Sequence, residues 1–229
     1  MKRAFVKSIS NVVAFSGAIE RLLNRGDGVP GMALIYGDPG YGKTKTALWW
    51  AAQNNAAFVR AIKLMTGRWL LEAIVAELGA APHWRTSDLF RQAQDLLLEN
   101  RKTVIVDEVD YLTRDARVIE TLRDLHDTTG APIVFIGMDR ADLKLRNYSH
   151  LYSRFSEKVK FNPLSFDDIR NVARELCDAE IDDSGIGWIA ERAAGSFRRV
   201  IIHLYLAEKL ARINRLKTIT RAEFEKVKR

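Results

Sequence analysis

Short apolar runs alternate with longer amphipathic stretches along the first 162 residues. The runs predict strands at MALIY (32–36), AFVRAI (57–62), TVIVD (103–107) and PIVFIG (132–137), and a shorter fifth strand at EKVKF (157–161). Strands that are apolar nearly throughout are typical of a parallel sheet covered on both faces. Because helical stretches separate them, the pattern predicts an α/β fold with a parallel sheet.

The spacing of apolar residues predicts two groups of helices. The first group lies among the strands, at residues 8–25, 43–54, 68–78, 87–99 and 115–128. Thr86, Ser87 and Asp88 are expected to cap the fourth of these helices, and Gly130 to end the fifth. After Pro163 only helices follow, at residues 165–178, 183–194, 197–213 and 220–228. We therefore expect an α/β domain over residues 1–162 and a small helical domain over residues 163–229.

Charge is distributed unevenly along the chain. The net charge is +7, and residues 198–229 hold ten Lys/Arg against three Asp/Glu, so the whole excess lies in this segment. Such a segment either attracts a polyanion such as nucleic acid or forms a solvated helical face. The single cysteine, Cys177, rules out a disulfide framework and is expected to be a buried apolar side chain. No apolar run suits a secretory signal or a membrane helix, so we expect a cytoplasmic protein.

The segment GDPGYGKT (37–44) has the spacing of a P-loop and stands between a predicted strand and a predicted helix. Its glycines let backbone N–H groups turn around a phosphate, and the helix directs its positive dipole end at the same anion. Lys43 is expected to contact the β- and γ-phosphates, and Thr44 to bind Mg²⁺. The sequence thus predicts a site for ATP and Mg²⁺ formed by Gly37, Asp38, Pro39, Gly40, Tyr41, Gly42, Lys43, Thr44 and Lys45.

Two carboxylates, Asp107 and Glu108, follow the apolar residues of the third predicted strand. The carboxyl ends of parallel strands meet at one edge of a sheet, so this pair is expected beside the P-loop. Asp107 is predicted to hold Mg²⁺ with Thr44, and Glu108 to polarise a water that attacks the γ-phosphate. A small-molecule kinase excludes water from its site, whereas a carboxylate here suits water. Hydrolysis of ATP is therefore favoured.

These motifs, with the strand IVFIG, the segment LYSRF and a late helical region containing GSFRR, resemble the AAA+ ATPases. More narrowly, GDPGYGKT, VIVDEVDYL, IVFIGMDR and LYSRFSEKVKF resemble the transposition regulators typified by the Mu phage B protein, TnsC and TniB. The resemblance covers roughly residues 10–227. It implies a P-loop AAA+ core in which helices sandwich a five-stranded parallel sheet, followed by a small all-helical lid.

The resemblance also implies roles for residues outside the two motifs. Arg154 matches the arginine finger, which contacts the γ-phosphate held by a neighbouring subunit and is counted as catalytic with Glu108 and Lys43. Arg198 matches the sensor arginine of the lid, with Arg199 as the alternative. At Met138 the family usually has a small polar residue, and methionine forms no useful hydrogen bond to water. Slow hydrolysis is therefore expected, unless Asp139 substitutes.

A finger supplied by a neighbour implies that activity needs a ring or a helical filament. The resemblance implies assembly with ATP on double-stranded DNA in a bacterial or phage-infected cell, a DDE-type transposase as partner, and disassembly driven by hydrolysis. DNA contacts are expected from Arg60, Lys63, Thr66 and Arg68, or from the basic end at Lys209, Arg212, Arg215 and Lys217. Because neither set forms a base-reading motif, largely sequence-independent and salt-sensitive phosphate contacts are expected.

Two other functions remain open. An AAA+ loader or remodeller of a DNA replication protein would share the fold, and closed rings that ignore DNA would favour it. A small-molecule kinase would need an acceptor pocket and would act as a monomer. Glu108, Arg154 and the helical lid argue against the kinase.

The remaining candidate residues carry weaker signals. His83, His126, His150 and His203 lack ligand spacing, so no metal site other than Mg²⁺ is expected. Trp49 and Trp50 are expected to pack against the sheet, with stacking on adenine as the lesser alternative. By position in the resembling family, the adenine pocket is expected at Ile9 to Val13.

Overall fold

Five parallel strands form one sheet in the computed structural model, which describes residues 1–2 and 4–226. The strands are β1 (Met32–Tyr36), β2 (Ala57–Arg60), β3 (Val104–Asp107), β4 (Ile133–Ile136) and β5 (Phe155–Lys160). They lie in the order β2-β3-β4-β1-β5, and every neighbouring pair is parallel. The predicted five-stranded parallel sheet is confirmed. β2 ends two residues before the end of the predicted strand, and β5 begins two residues before the start of the predicted strand.

Helices flank the strands and dominate the C-terminal part. They are α1 (Ser10–Leu23), α2 (Lys43–Asn54), α3 (Gly67–Glu77), α4 (Thr86–Asn100), α5 (Ala116–Thr129), α6 (Asp139–Leu145), α7 (Ser149–Tyr152), α8 (Phe166–Leu176), α9 (Asp183–Ala193), α10 (Phe197–Asn214) and α11 (Arg221–Lys226). The predicted helices begin and end within two residues of these bounds, except that the predicted end of the last helix, at residue 228, lies outside the described residues.

Three short helical elements were not predicted from the sequence. A 3₁₀ helix at Val109–Arg114 follows β3, and α6 and α7 lie between β4 and β5. All are too short to show a clear helical period. The predicted cap of α4 is wrong, because Arg85 occupies the N-cap position and makes no side-chain capping hydrogen bond. Gly130 ends α5 in the left-handed conformation, as predicted.

The central strands have no exposed face. Val104, Ile105 and Val106 of β3 and every residue of β4 are fully buried. Apolar residues of α3, α4 and α5 belong to the same hydrophobic cluster as these strands. Burial on both faces fixes the register, since a shift of one residue would turn every side chain to the opposite face. The register pairs Arg60 with Asp107 and Ile35 with Ile136, which brings the ends of the strands to one edge.

The chain divides into two compact units. One comprises Phe15–Gly37 and Lys43–Lys160 and contains the five-stranded sheet. The other comprises Met1–Ala14, Asp38–Gly42 and the chain from Phe161 onwards. The boundary between the units therefore falls between Lys160 and Phe161. The segments Met1–Ala14 and Asp38–Gly42 belong to the same unit as the C-terminal helices. The domain boundary that the sequence predicts after residue 162 stays a prediction.

The C-terminal helical region is not wholly helical. The predicted helical C-terminal region is present, and it also contains a two-residue parallel pair of β6 (Glu180–Ile181) and β7 (Thr218–Ile219). Ser165 and Asp168 form a capping box at the start of α8. Burial alone would raise the pKa of Asp168, but hydrogen bonds donated by Ser10 and Ser165 outweigh it and lower that pKa.

Cys177 is buried at the end of α8, as predicted, and burial raises the pKa of its thiol to about 11. Such a thiol stays protonated at neutral pH and is a poor nucleophile. In the described part of the chain, no helix is both long enough and apolar enough to cross a membrane.

Candidate functional site

The glycine loop lies between β1 and α2, and three of its glycines need their conformational freedom. Gly37, Gly40 and Gly42 have φ angles of 145°, 92° and 97°, which residues with a side chain rarely adopt. A Cβ on Gly40 would also lie 2.6 Å from the Ser196 hydroxyl oxygen. The backbone N–H of Arg198 donates to the Gly40 carbonyl at 3.3 Å. The predicted sensor arginine is therefore at the start of α10, directly beside the loop, and its side chain is exposed.

The other predicted members of the loop are partly accessible. Asp38 and Pro39 are exposed, and the Tyr41 hydroxyl lies 3.5 Å from an Asp38 carboxylate oxygen. Lys45 is exposed on the first turn of α2.

Lys43 and Thr44 begin α2 and face the ends of two strands. The Lys43 Nζ donates to the carbonyl of Gly37 at 2.6 Å, and the lysine is buried. The Thr44 hydroxyl donates to Asp107 Oδ2 at 2.8 Å. The structure thus brings together the three side chains from which the sequence predicts phosphate and Mg²⁺ contacts. The contact between Thr44 and Asp107 spans 63 positions of sequence.

Asp107 is a buried carboxylate, with 2% of the residue exposed. Burial raises its pKa, and hydrogen bonds from the Thr44 hydroxyl and the Glu108 backbone N–H oppose this rise only in part. A buried carboxylate without a directly bonded cation is costly. A divalent cation beside Asp107 would remove that cost.

Glu108 has an unusual backbone conformation for a residue with a side chain. Its φ of 58° and ψ of 38° are left-handed, which costs on the order of 1–2 kcal/mol. The conformation turns the chain sharply from β3 into the 3₁₀ helix. The carboxylate is partly exposed and lies 3.4 Å from the guanidinium of Arg60, at the end of β2. The predicted water-activating group and a predicted DNA-contacting residue are thus ion-paired.

The end of β4 is tied to the 3₁₀ helix. The backbone N–H of Met138 donates to Asp110 Oδ2 at 2.7 Å. A Cβ on Gly137 would lie 2.5 Å from the Cβ of Ala141 and 2.9 Å from that same Asp110 oxygen, so glycine is required there. Sequence reasoning missed Asp110, although an acidic residue two positions after Glu108 was a signal.

Asp139 stands where the sequence predicts a substitute sensor. One carboxylate oxygen accepts from Lys160 at 3.2 Å. The other is buried, and it has no hydrogen-bond partner among the described residues. Met138 itself is 40% exposed.

Arg154 directly precedes β5 and is held by Asp127. Its Nε and Nη2 donate to the two Asp127 oxygens at 2.8 and 3.1 Å. The Asp127 hydrogen bond raises the pKa of Arg154, and the Arg154 hydrogen bond lowers the pKa of Asp127. Both side chains line an open depression of about 740 Å³ that also contains Arg25 and Arg101. No sequence signal pointed to Asp127, which lies 27 positions before Arg154.

The predicted DNA-contacting residues are exposed, except Arg68, but they are not equivalent. Arg60 is paired with Glu108, and Lys63 extends from the loop between β2 and α3. Thr66 caps α3, since its side chain accepts from the Trp69 N–H. Arg68 is half-buried and pairs with Glu72 at 2.8 Å, so it is less available to DNA than predicted. At the basic end, Lys209, Arg212, Arg215 and Lys217 are all exposed.

The remaining candidates divide between core and surface. Trp50 is buried and packs edge-on against Phe15 of α1, whereas Trp49 is half-buried; the packing of both rings against the sheet stays a prediction. Of the segment expected at adenine, Ile9, Asn11 and Val12 are buried, and the Asn11 amide bonds the Asn162 backbone twice. His126 is buried and bonds the Gly31 N–H and the Ala131 carbonyl. Within the described ranges, no group of three His, Cys, Asp or Glu residues is arranged to hold a metal.

The donor set fits a magnesium–nucleoside triphosphate. It comprises an ammonium group, a hydroxyl, a buried carboxylate and a loop in which three glycines have positive φ angles. A protein-family model described as AAA domain matches residues 27–145, just over half of the chain. The chain belongs to the AAA domain family. Membership in this family implies nucleotide binding at the glycine loop.

The chain is similar to two kinds of curated protein. The replication factor C large subunit of Aeropyrum pernix is 30% identical over 79% of this chain and 36% of its own length. The ATP-dependent target DNA activator B of Escherichia phage Mu is 29% identical over 62% of this chain and 48% of its own. The chain therefore spans less than half of either curated relative.

The fold of this AAA domain also matches a solved structure over almost its whole length. The Aeropyrum pernix ORC2 protein, solved as ADPNP and ADP complexes, superposes with a TM-score of 0.73 at 20% identity, covering 98% of this chain and 69% of that one. At this identity the match shows the fold alone.

Proposed function

We propose that the chain is an ATPase that assembles on double-stranded DNA and delivers target DNA to a DDE-type transposase, with hydrolysis driving disassembly. The observation that carries the catalytic part is the convergence of Lys43, Thr44, Asp107 and Glu108 at the carboxyl ends of β1 and β3. The transposition part rests on the similarity to the target DNA activator of phage Mu.

Each side chain has a distinct role in the proposed reaction. Lys43 leaves the Gly37 carbonyl and places its charge on the β- and γ-phosphates. Thr44 and Asp107 would hold Mg²⁺, which would neutralise charge on the phosphate oxygens. Glu108 accepts a proton from water as that water attacks the γ-phosphate. Arg198 contacts phosphate from its position beside Gly40.

A neighbouring molecule supplies Arg154. Its bidentate pair with Asp127 uses two of the five N–H donors of a guanidinium, which leaves three for a phosphate. Arg25 and Arg101 in the same depression add positive charge. This face is suited to the triphosphate held by a second copy, so the oligomer or filament is the active form and a lone protomer hydrolyses ATP slowly.

The test compares the parent with Glu108→Gln by negative-stain microscopy and by sedimentation with duplex DNA, with and without ATP. The parent should form ATP-dependent assemblies that disappear as ATP is consumed, and Glu108→Gln should form assemblies that persist. Lys43→Ala is the matched control that should form none. If Glu108→Gln hydrolyses ATP as fast as the parent, its assignment is wrong.

Delivery of target DNA needs a separate measurement. A DDE transposase from the same source should insert preferentially into DNA coated with the chain in strand-transfer reactions. Insertion that is indifferent to the coating would refute this part of the proposal while leaving the ATPase intact.

A loader or remodeller of a replication protein is the second candidate, because the replication factor C large subunit is also similar over most of this chain. It predicts closed rings that form with ATP in the absence of DNA. Assemblies that require DNA and lengthen along it would exclude this alternative.

A further inference from the structure

Trp84, in the loop between α3 and α4, is 88% exposed. This is the highest value among the large apolar side chains of the described residues. A tryptophan that buries its ring would contribute more to the stability of the fold than one left in water. The exposed ring is available for contact with another molecule.

The loop that carries Trp84 is firmly built. The Gln92 side chain bridges it, accepting from the His83 N–H at 2.9 Å and donating to the Ala81 carbonyl at 2.8 Å. Arg68 donates to the Trp84 carbonyl while Glu72 holds its guanidinium at 2.8 Å. Arg68 is thus a positioning residue for the loop, which explains why it is not extended into solvent.

One guanidinium lies near the exposed ring. The guanidinium carbon of Arg68 lies 5.5 Å from the centroid of the Trp84 ring. His83 and Arg85 are exposed on either side of it in the chain. The loop contacts the first turn of α3 through Arg68. The exposed Lys63 precedes this turn in the chain. A protein-binding hot spot lies in a mainly apolar patch. Residues 81–88, which comprise the end of the loop and the start of α4, are instead exposed and largely polar.

We propose that Trp84 is a DNA-binding residue that stacks on a nucleobase, and that it recognises DNA in which bases are unpaired or partly unstacked. This inference rests on the proposed binding of DNA and adds a base contact to the phosphate contacts of Lys63. Stacking on an aromatic ring is tolerant of sequence and needs a base face that fully paired duplex does not offer. The exposed Arg85, next to Trp84 in the chain, adds positive charge for an adjoining phosphate.

The experiment measures fluorescence anisotropy of two labelled duplexes, one fully paired and one with a short run of mismatched bases, with a slowly hydrolysed ATP analogue present. Trp84→Ala should weaken binding to the mismatched DNA about tenfold and to the paired duplex much less. Trp84→Phe should retain most of the affinity, because it keeps a ring. Leu98→Ala, which removes another exposed apolar side chain of this region, should bind as the parent does.

The salt dependence separates stacking from charge. The slope of log affinity against log salt should be unchanged in Trp84→Ala, whereas Lys63→Ala should reduce it by about one. Thermal unfolding of Trp84→Ala should match the parent, which checks that the loss is not misfolding.

Two different failures can be told apart. If the parent binds neither DNA, DNA binding itself is refuted, and the role of Trp84 falls with it. If the parent binds DNA and Trp84→Ala binds each duplex as tightly as the parent does, the stacking proposal alone is overturned.

Discussion

Asp107→Asn should make the nucleotide-free protein more stable while destroying its response to Mg²⁺. The carboxylate is buried, and it accepts hydrogen bonds from the Thr44 hydroxyl and the Glu108 N–H. An asparagine oxygen can accept from the Glu108 N–H, and its NH₂ group can donate to the Thr44 oxygen, since a hydroxyl both donates and accepts. The substitution therefore removes a buried charge and keeps a hydrogen bond at each of these two contacts.

The sign and the pH dependence of the gain follow from the direction of the pKa shift. Burial raises the pKa of Asp107, so the native protein binds this proton more tightly than the unfolded chain, whose ordinary value is 3.8. The parent then loses stability as pH rises from about 4 through the raised native pKa. We expect Asp107→Asn to gain on the order of 1 kcal/mol at neutral pH, or roughly 2–4 °C in Tm. The gain should vanish below about pH 4.

Differential scanning calorimetry in EDTA at several pH values measures this gain, with the exposed carboxylate of Asp95→Asn as the matched control. A Tm at neutral pH equal to or below that of the parent would refute the reasoning about burial. Addition of ATP and Mg²⁺ should then raise the Tm of the parent and have little effect on Asp107→Asn. An equal rise in both proteins would show that Asp107 does not hold the metal.

Three further substitutions test the rest of the site. Lys43→Ala should weaken ATP binding by at least tenfold in a nucleotide titration, because it removes a charged hydrogen-bond donor to phosphate; unchanged binding would contradict the P-loop assignment. Arg60→Ala should raise hydrolysis without DNA by up to about fivefold, because an exposed ion pair worth at most about 1 kcal/mol no longer engages Glu108; a loss of activity would mean that Arg60 supports catalysis instead. Asp127→Asn should lower hydrolysis without changing ATP affinity, and its effect should not add to that of Arg154→Ala, because the two residues form one pair; additive losses would separate them.

The local parts of the site were predictable from sequence because their geometry is set by neighbours in the chain. Strand, glycine loop and helix are consecutive from Met32 to Asn54, and the apolar run that ends at Asp107 needs no distant information to be read as a buried strand. The backbone conformations of Gly40 and Gly42 likewise follow from local spacing.

The pairings between distant residues were not predictable, since they depend on the order of strands in the sheet. Arg60 meets Glu108 only because β2 lies beside β3. Arg154 meets Asp127 only because the end of α5 reaches the start of β5. Trp84 was overlooked for another reason: an apolar residue in a short loop can be buried or exposed, and hydrophobic periodicity does not distinguish the two.

The order of the sheet inserts β4 between the strand that leads into the glycine loop and the strand that ends at Asp107. A residue that follows β4 therefore lies between the glycine loop after β1 and the carboxylates after β3, and it belongs to neither group. Under the proposed function, a hydroxyl side chain in place of the Met138 thioether would hydrogen-bond the attacking water, speed hydrolysis and shorten the lifetime of a DNA-bound assembly without changing the affinity for ATP.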